Sequence, residues 1–121
     1  MEISIHHATE RGDIITVLAE FRIVWRGRLI TVPAGFESDG VSTPEFLWSS
    51  ISPAIDPRTL RAGIAHDLIY RTQPAGWTRA EADRMFYDLC RADGLSWWRA
   101  QKAWWGLRRF GGKAWRENQS K

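Results

Sequence analysis

Two short breaks, Pro74-Ala75-Gly76 and Gly94, cut the second half of this chain into helical lengths with little room to separate. Before the first break, Asp56 is a good N-cap and Pro57 a good first helical residue, so a helix is expected from Pro57 to about Arg71. Thr78-Arg79-Ala80-Glu81 has the spacing of a capping box and opens a helix through Met85, Phe86 and Leu89 to about Asp93. Ser96 caps a last helix through Trp97, Trp98, Trp104, Trp105 and Leu107, ended by Gly111-Gly112. The connection from Thr72 to Trp77 is short enough that the first two helices must lie side by side and antiparallel.

The front half has a different texture. From Asp13 to Trp25 it is β-branched and aromatic, Arg26-Gly27 makes a turn, and Arg28-Leu29-Ile30-Thr31-Val32 resumes, which predicts a hairpin. Pro33-Ala34-Gly35 ends the second strand, because proline donates nothing to a ladder. Gly35 to Thr43 is expected as a loop carrying Glu37, Asp39 and Ser42, and Pro44 suits the first turn of a short helix from Glu45 to Ser50. The fold class is α+β: an N-terminal β-hairpin, a short helix and three main helices. At 121 residues this is one domain, with residues 1–36 β-rich, 44–110 helical and 111–121 a basic tail.

Cys90 is alone, so no disulfide framework exists. The opening Met1-Glu2-Ile3-Ser4-Ile5-His6-His7 has neither a basic nor an apolar leader region, and no apolar run approaches membrane-spanning length. Residence in a cytoplasm, or export independent of a signal peptide, is the expectation. His6 and His7 are read as part of a mobile end and are weak evidence for a metal. The net charge of +3 hides an asymmetry. From Ser96 onward Arg99, Lys102, Arg108, Arg109, Lys113, Arg116 and Lys121 stand against Glu117 alone, which leaves the rest of the chain acidic. Such an end suits phosphates, anionic lipid or an acidic partner, or is simply a solvated face.

Titratable groups gather among apolar ones at His66-Asp67-Leu68-Ile69-Tyr70 and Ala82-Asp83. On a helix His66 shares a face with Ala62, Ile69 and Tyr70, while Asp67 is turned about 100° away toward the edge of the seam. On the next helix Ala82, Met85, Phe86 and Leu89 make the core stripe, with Asp83 and Tyr87 on its flank. Antiparallel packing brings Asp83 within reach of His66. A carboxylate on one ring nitrogen fixes the tautomer and leaves the other nitrogen to take a proton from water. Asp67, with Asp39 or backbone carbonyls of the Gly35–Thr43 loop, is then placed to bind a hard cation that polarises a carbonyl or phosphoryl group. Ser42 supports that loop; no base adjoins it in sequence, and Ser-x-Pro reads as a helix entry rather than a nucleophile. The same residues also make a buried polar tie between two helices, and Asp39 in Ser-Asp-Gly is most simply a turn-former.

Asp56, Ala62, His66-Asp67-x-x-Tyr70 and the later Ala82-Asp83 resemble the catalytic helices of phospholipase A2, especially the cysteine-poor versions in viral capsid proteins. The resemblance covers the middle third of the chain. It implies that His66 activates water, Asp67 binds calcium (zinc being the second choice), Asp83 orients His66 and Tyr70 adds a supporting hydrogen bond. The glycine-rich calcium loop is not reproduced, since Gly35-Phe36-Glu37-Ser38-Asp39-Gly40 has another pattern. A second resemblance runs from Val32 onward. Val32-Pro33-Ala34-Gly35-Phe36, Ser38-Asp39-Gly40-x-Ser42-x-Pro44, His66-Asp67-x-x-Tyr70, Glu81-Ala82-Asp83-x-x-Phe86 and Trp97-Trp98 are similar, in order, to DUF1353, an uncharacterised phage and prophage family. It implies a phage or prophage origin and supplies no chemistry.

The chain holds eight tryptophans. In the last helix Trp97, Ala100, Trp104 and Leu107 recur at core spacing and are expected to pack inward. Trp98 and Trp105 make a second stripe beside Arg99, Lys102 and Arg109: cation–π cover on an aromatic core, or an interfacial face for a membrane or protein. No nucleic-acid motif accompanies them. Two functions follow. One is a small hydrolase with a His66–Asp83 dyad, metal-assisted through Asp67 and Asp39, acting on an ester or cell-envelope bond. The other is a non-catalytic virion or assembly protein whose basic tryptophan helix binds a phage structural protein or an envelope component. Host cytoplasm or virion is the matching location.

Overall fold

The computed structural model describes residues 2–8, 12–38 and 57–120. Among these residues five strands precede four helices: β1 (Ile3–Ala8), β2 (Gly12–Val17), β3 (Phe21–Trp25), β4 (Arg28–Val32), β5 (Glu37–Ser38), α1 (Leu60–Thr72), α2 (Arg79–Ala92), α3 (Trp97–Phe110) and α4 (Gly112–Gln119). The α+β class read from the sequence holds. The short helix expected over Glu45–Ser50, and the caps and ligands expected at Asp56, Asp39 and Ser42, lie outside the described residues.

The hairpin is β3–β4, with Phe21 opposite Val32 and Trp25 opposite Arg28. Ile23, Trp25, Ile30 and Val32 are buried while Arg22, Val24, Leu29 and Thr31 are exposed, the alternation of a sheet with one wet face. Arg26 and Gly27 both take positive φ, 48° and 78°, as a two-residue turn between right-twisted strands requires.

Residues 13–25 are not one strand. β2 lies between β1 and β5 in a three-stranded antiparallel sheet, whereas β3 and β4 form a separate pair. Val17 closes the first sheet by donating to Phe36 O (2.9 Å) and accepting from Gly35 N–H (2.7 Å). Ile15, Val17, Ile23 and Trp25 stay buried on odd numbers across the break, so the pattern of burial continues while the pairing partner changes. His6 and His7, expected at a mobile end, belong to β1 and pair with Ile14 and Asp13. Glu37 and Ser38, expected as loop, add a short strand against Thr16 and Ile15.

Every residue of α1 from Ala62 to Tyr70 is buried, so this is the central helix, covered on all sides. It starts at Leu60 rather than Pro57, and Thr59 at its N-cap makes no side-chain capping bond. Gln73 ends it in the left-handed region, φ 42°, with its N–H returned to Ile69 O. The predicted capping box opens α2 with both bonds formed: Glu81 N–H to Thr78 Oγ1 and Thr78 N–H to Glu81 Oε1. Ser96 caps α3 by accepting from Arg99 N–H.

One expectation about the last segment fails. Trp97 does not pack inward; it is 48 % exposed, and Trp104 is only partly buried. The buried face of α3 is Ala100, Ala103, Gly106 and Leu107, mostly small residues that let the helix lie close on its neighbour. α3 ends at Phe110 with Gly111 as its C-cap, where the glycine pair was expected to stop it; Gly111 keeps right-handed helical geometry (φ −74°), and a further helix, α4, follows from Gly112.

Candidate functional site

Asp83 is the hub. Its Oδ1 accepts from Tyr70 Oη at 2.6 Å and lies 2.8 Å from His66 Nε2. Its Oδ2 accepts from Arg108 Nη1 at 2.9 Å and from Arg79 Nη1 at 3.5 Å. The short turn after α1 sets His66 and Tyr70, one turn apart, beside the first turns of α2, and Arg108 reaches in from the last turn of α3. His66 and Asp83 are fully buried and Tyr70 nearly so. The imidazole also packs on the Tyr70 ring (4.2 Å between centroids) and on the edge of Phe86 (5.5 Å). The seam position foreseen for His66 is correct. Asp83 and Tyr87, foreseen on a flank, are buried too.

These contacts set the protonation of Asp83 and Tyr70. Burial alone would raise the Asp83 carboxyl, but the bonds from His66, Tyr70 and Arg108 outweigh it and hold the group below its ordinary value. Tyr70 is pushed above the ordinary phenol value, first by burial and then by the Asp83 charge and hydrogen bond, so it stays a donor. An ionised carboxylate only accepts, so His66 Nε2 carries a proton. In the neutral ring Nδ1 then holds a bare lone pair. That atom is buried and has no hydrogen-bond partner among the described residues.

Two members of the cluster escaped sequence reasoning. Arg79 sits four residues before Asp83, the ordinary spacing of a helical ion pair, which could have flagged it. Arg108 was counted only among the cations of the basic end; nothing local separates it from Arg109, yet it turns inward while Arg109 is exposed. Arg79 also donates to Leu107 O (3.0 Å) and Arg108 O (3.2 Å), capping the carbonyl end of α3. Gly111 makes room: a Cβ there would lie 2.7 Å from Tyr70 Oη and 2.6 Å from Leu107 O.

Asp67 does not sit at an exposed edge. With α1 covered all round, it is 2 % exposed and pairs with Arg71 Nη2 at 3.0 Å. Arg71 also donates to Glu37 O at 2.7 Å, linking Asp67 to β5. Among the described residues no group of three His, Cys, Asp or Glu side chains could hold a metal ion. Asp39 and Ser42 lie outside those residues. The expected partner-binding residues are all on the surface: Trp98 is 77 % and Trp105 55 % exposed, with Arg99, Lys102 and Arg109 also exposed. No described helix is long and apolar enough to cross a membrane.

Comparison with known proteins gives a family but no chemistry. Residues 15–107 match a family model described as "Protein of unknown function (DUF1353)". The chain is 32 % identical over 80 residues to "Uncharacterized protein y4jT" of Sinorhizobium fredii, an alignment covering 66 % of this chain and 23 % of that protein. This chain therefore spans roughly a quarter of that relative's length. No solved structure matches.

Proposed function

Because the chain belongs to the DUF1353 family, whose description names no activity, we propose a function from the geometry: a hydrolase whose base is His66, oriented by Asp83. The supporting observation is the buried Nδ1, without a partner among the described residues, on a ring whose other nitrogen is held by an ionised carboxylate. A histidine serving only as a tie has no need to leave a nitrogen unsatisfied, since a buried polar atom without a partner costs about 1–3 kcal/mol. In this reading Nδ1 takes a proton from a water whose oxygen attacks the carbon or phosphorus of an ester or cell-envelope bond, and returns it to the leaving oxygen or nitrogen as that bond breaks. Nε2–H stays on Asp83, whose charge offsets the imidazolium that forms. Tyr70, Arg79 and Arg108 are positioning residues that keep Asp83 ionised and immobile.

The cover over Nδ1 must open to admit water and substrate. Asp67 already answers a guanidinium, and the described residues assemble no cation site, so no step is routed through calcium or zinc. The test is His66→Gln, whose amide donates to Asp83 as Nε2 does but offers no base. Hydrolysis of short-chain esters, phospholipid vesicles and purified cell wall is compared for the two proteins. The reading expects activity in the native chain and a loss of about 100- to 10,000-fold in the folded variant. Absence of activity on all three substrates, or activity equal in His66→Gln, overturns it.

The burial of His66, Tyr70 and Asp83 supports a second reading, a non-catalytic virion or assembly protein of phage origin in which the same bonds only join helices. It expects no hydrolysis by the native chain.

A further inference from the structure

On α3 successive residues advance by about 100° around the axis. Ala100, Ala103 and Leu107 point into the core, and Trp98 and Trp105, two turns apart, point the opposite way. They are the residues that core packing explains least, yet they are the largest side chains available and are 77 % and 55 % exposed. Trp97, 48 % exposed, meets the Trp98 ring edge-on at 4.9 Å between centroids, and the three indoles stand around an open cleft with Arg99, Gln101 and Lys102. No acidic residue occurs between Ser96 and Arg116. Arg99, Lys102 and Arg109 form no ion pair among the described residues, unlike Arg108, which is held by Asp83.

We propose that this outer face of α3 docks on an anionic lipid surface, with Trp98 and Trp105 in the headgroup layer and Arg99, Lys102 and Arg109 on lipid phosphates. The charge is complementary, since the face carries cations and no carboxylate. The apolar members are indoles rather than aliphatic chains. An indole buries a broad apolar ring while its N–H bonds to headgroup oxygen, which suits a boundary better than a dry protein interface. The long Arg and Lys stems let the charges reach phosphate while their methylenes lie against the rings. None of these residues bonds His66 or Asp83, and the proposal does not depend on the hydrolase reading.

The test uses the full chain and sedimentation with vesicles of phosphatidylcholine alone or of equimolar phosphatidylcholine and phosphatidylglycerol. Binding is expected to the mixed vesicles, with a blue shift of tryptophan emission and weakening by salt. Trp98→Ala combined with Trp105→Ala should lower partitioning about tenfold or more. Replacing Arg99, Lys102 and Arg109 by Gln should cost roughly fivefold per charge and remove the preference for anionic vesicles. His66→Gln should bind as the native chain does, which separates this proposal from the fate of the dyad. No binding to the mixed vesicles overturns the proposal, as does equal binding by the tryptophan double variant. Binding to polyglutamate but not to vesicles also overturns it, in favour of an acidic protein partner. Circular dichroism confirms that each variant is folded.

Discussion

Arg108 and Arg109 are adjacent in sequence and live in opposite worlds. Arg108 turns toward a cluster where a buried carboxylate answers a histidine, a tyrosine and two guanidinium groups. Arg109 faces solvent with Trp98, Lys102 and Trp105, where no carboxylate among the described residues answers these cations. Both regions combine aromatic rings with cations, yet one closes its electrostatics internally and the other leaves its charge for something outside the molecule. Composition cannot tell them apart. What separates them is whether an acidic group on a neighbouring helix shares the space.

Substitutions that break the Asp83 cluster should have the largest effect. Asp83→Ala leaves the histidine and two arginines without their carboxylate, and a loss of about 3–5 kcal/mol in denaturant unfolding is expected. Gly111→Ala pushes a methyl into Tyr70 Oη and Leu107 O and should cost about 1–3 kcal/mol by the same measurement. Tyr70→Phe removes one bond to Asp83 and should cost about 1–2 kcal/mol. Acid titration sharpens the contrast further. The Asp83 carboxyl is held below its ordinary 3.8, so its contribution is intact above that pH and disappears as pH falls from there through the lowered value. Asp83→Asn should flatten that limb of the stability profile. The smallest effect belongs to the open region: Trp98→Ala with Trp105→Ala should change stability by no more than about 0.5 kcal/mol per site.

How far the sequence carried the reading follows the range of each interaction. The capping box, the Arg26-Gly27 turn and the approach of Asp83 to His66 were legible because each depends on spacing within a helix or across one short connection. The pairing of β1 with β2 was not, because strand alternation records which face is buried and not which strand lies alongside. The same blindness hid the break after Val17. Trp97 was misassigned because periodicity defines a stripe but not its width, and the close fit on α3 comes from Ala100, Ala103 and Gly106 rather than from its largest residues. Arg108 was invisible for the plainest reason: its partner lies 25 positions away on another helix.

Gly111 carries a last consequence. One residue separates α3 from α4, and on the far side of that corner the Trp115 ring stands edge-on to Tyr70 while its carbonyl accepts from Gln73. The corner therefore has no slack in chain length. Inserting one residue would rotate α4 by about 100°, swinging Trp115 off the tyrosine that steadies Asp83 and withdrawing its carbonyl from the end of α1. A change in chain length at this corner would thus be felt at the imidazole, through geometry alone and with no charge altered.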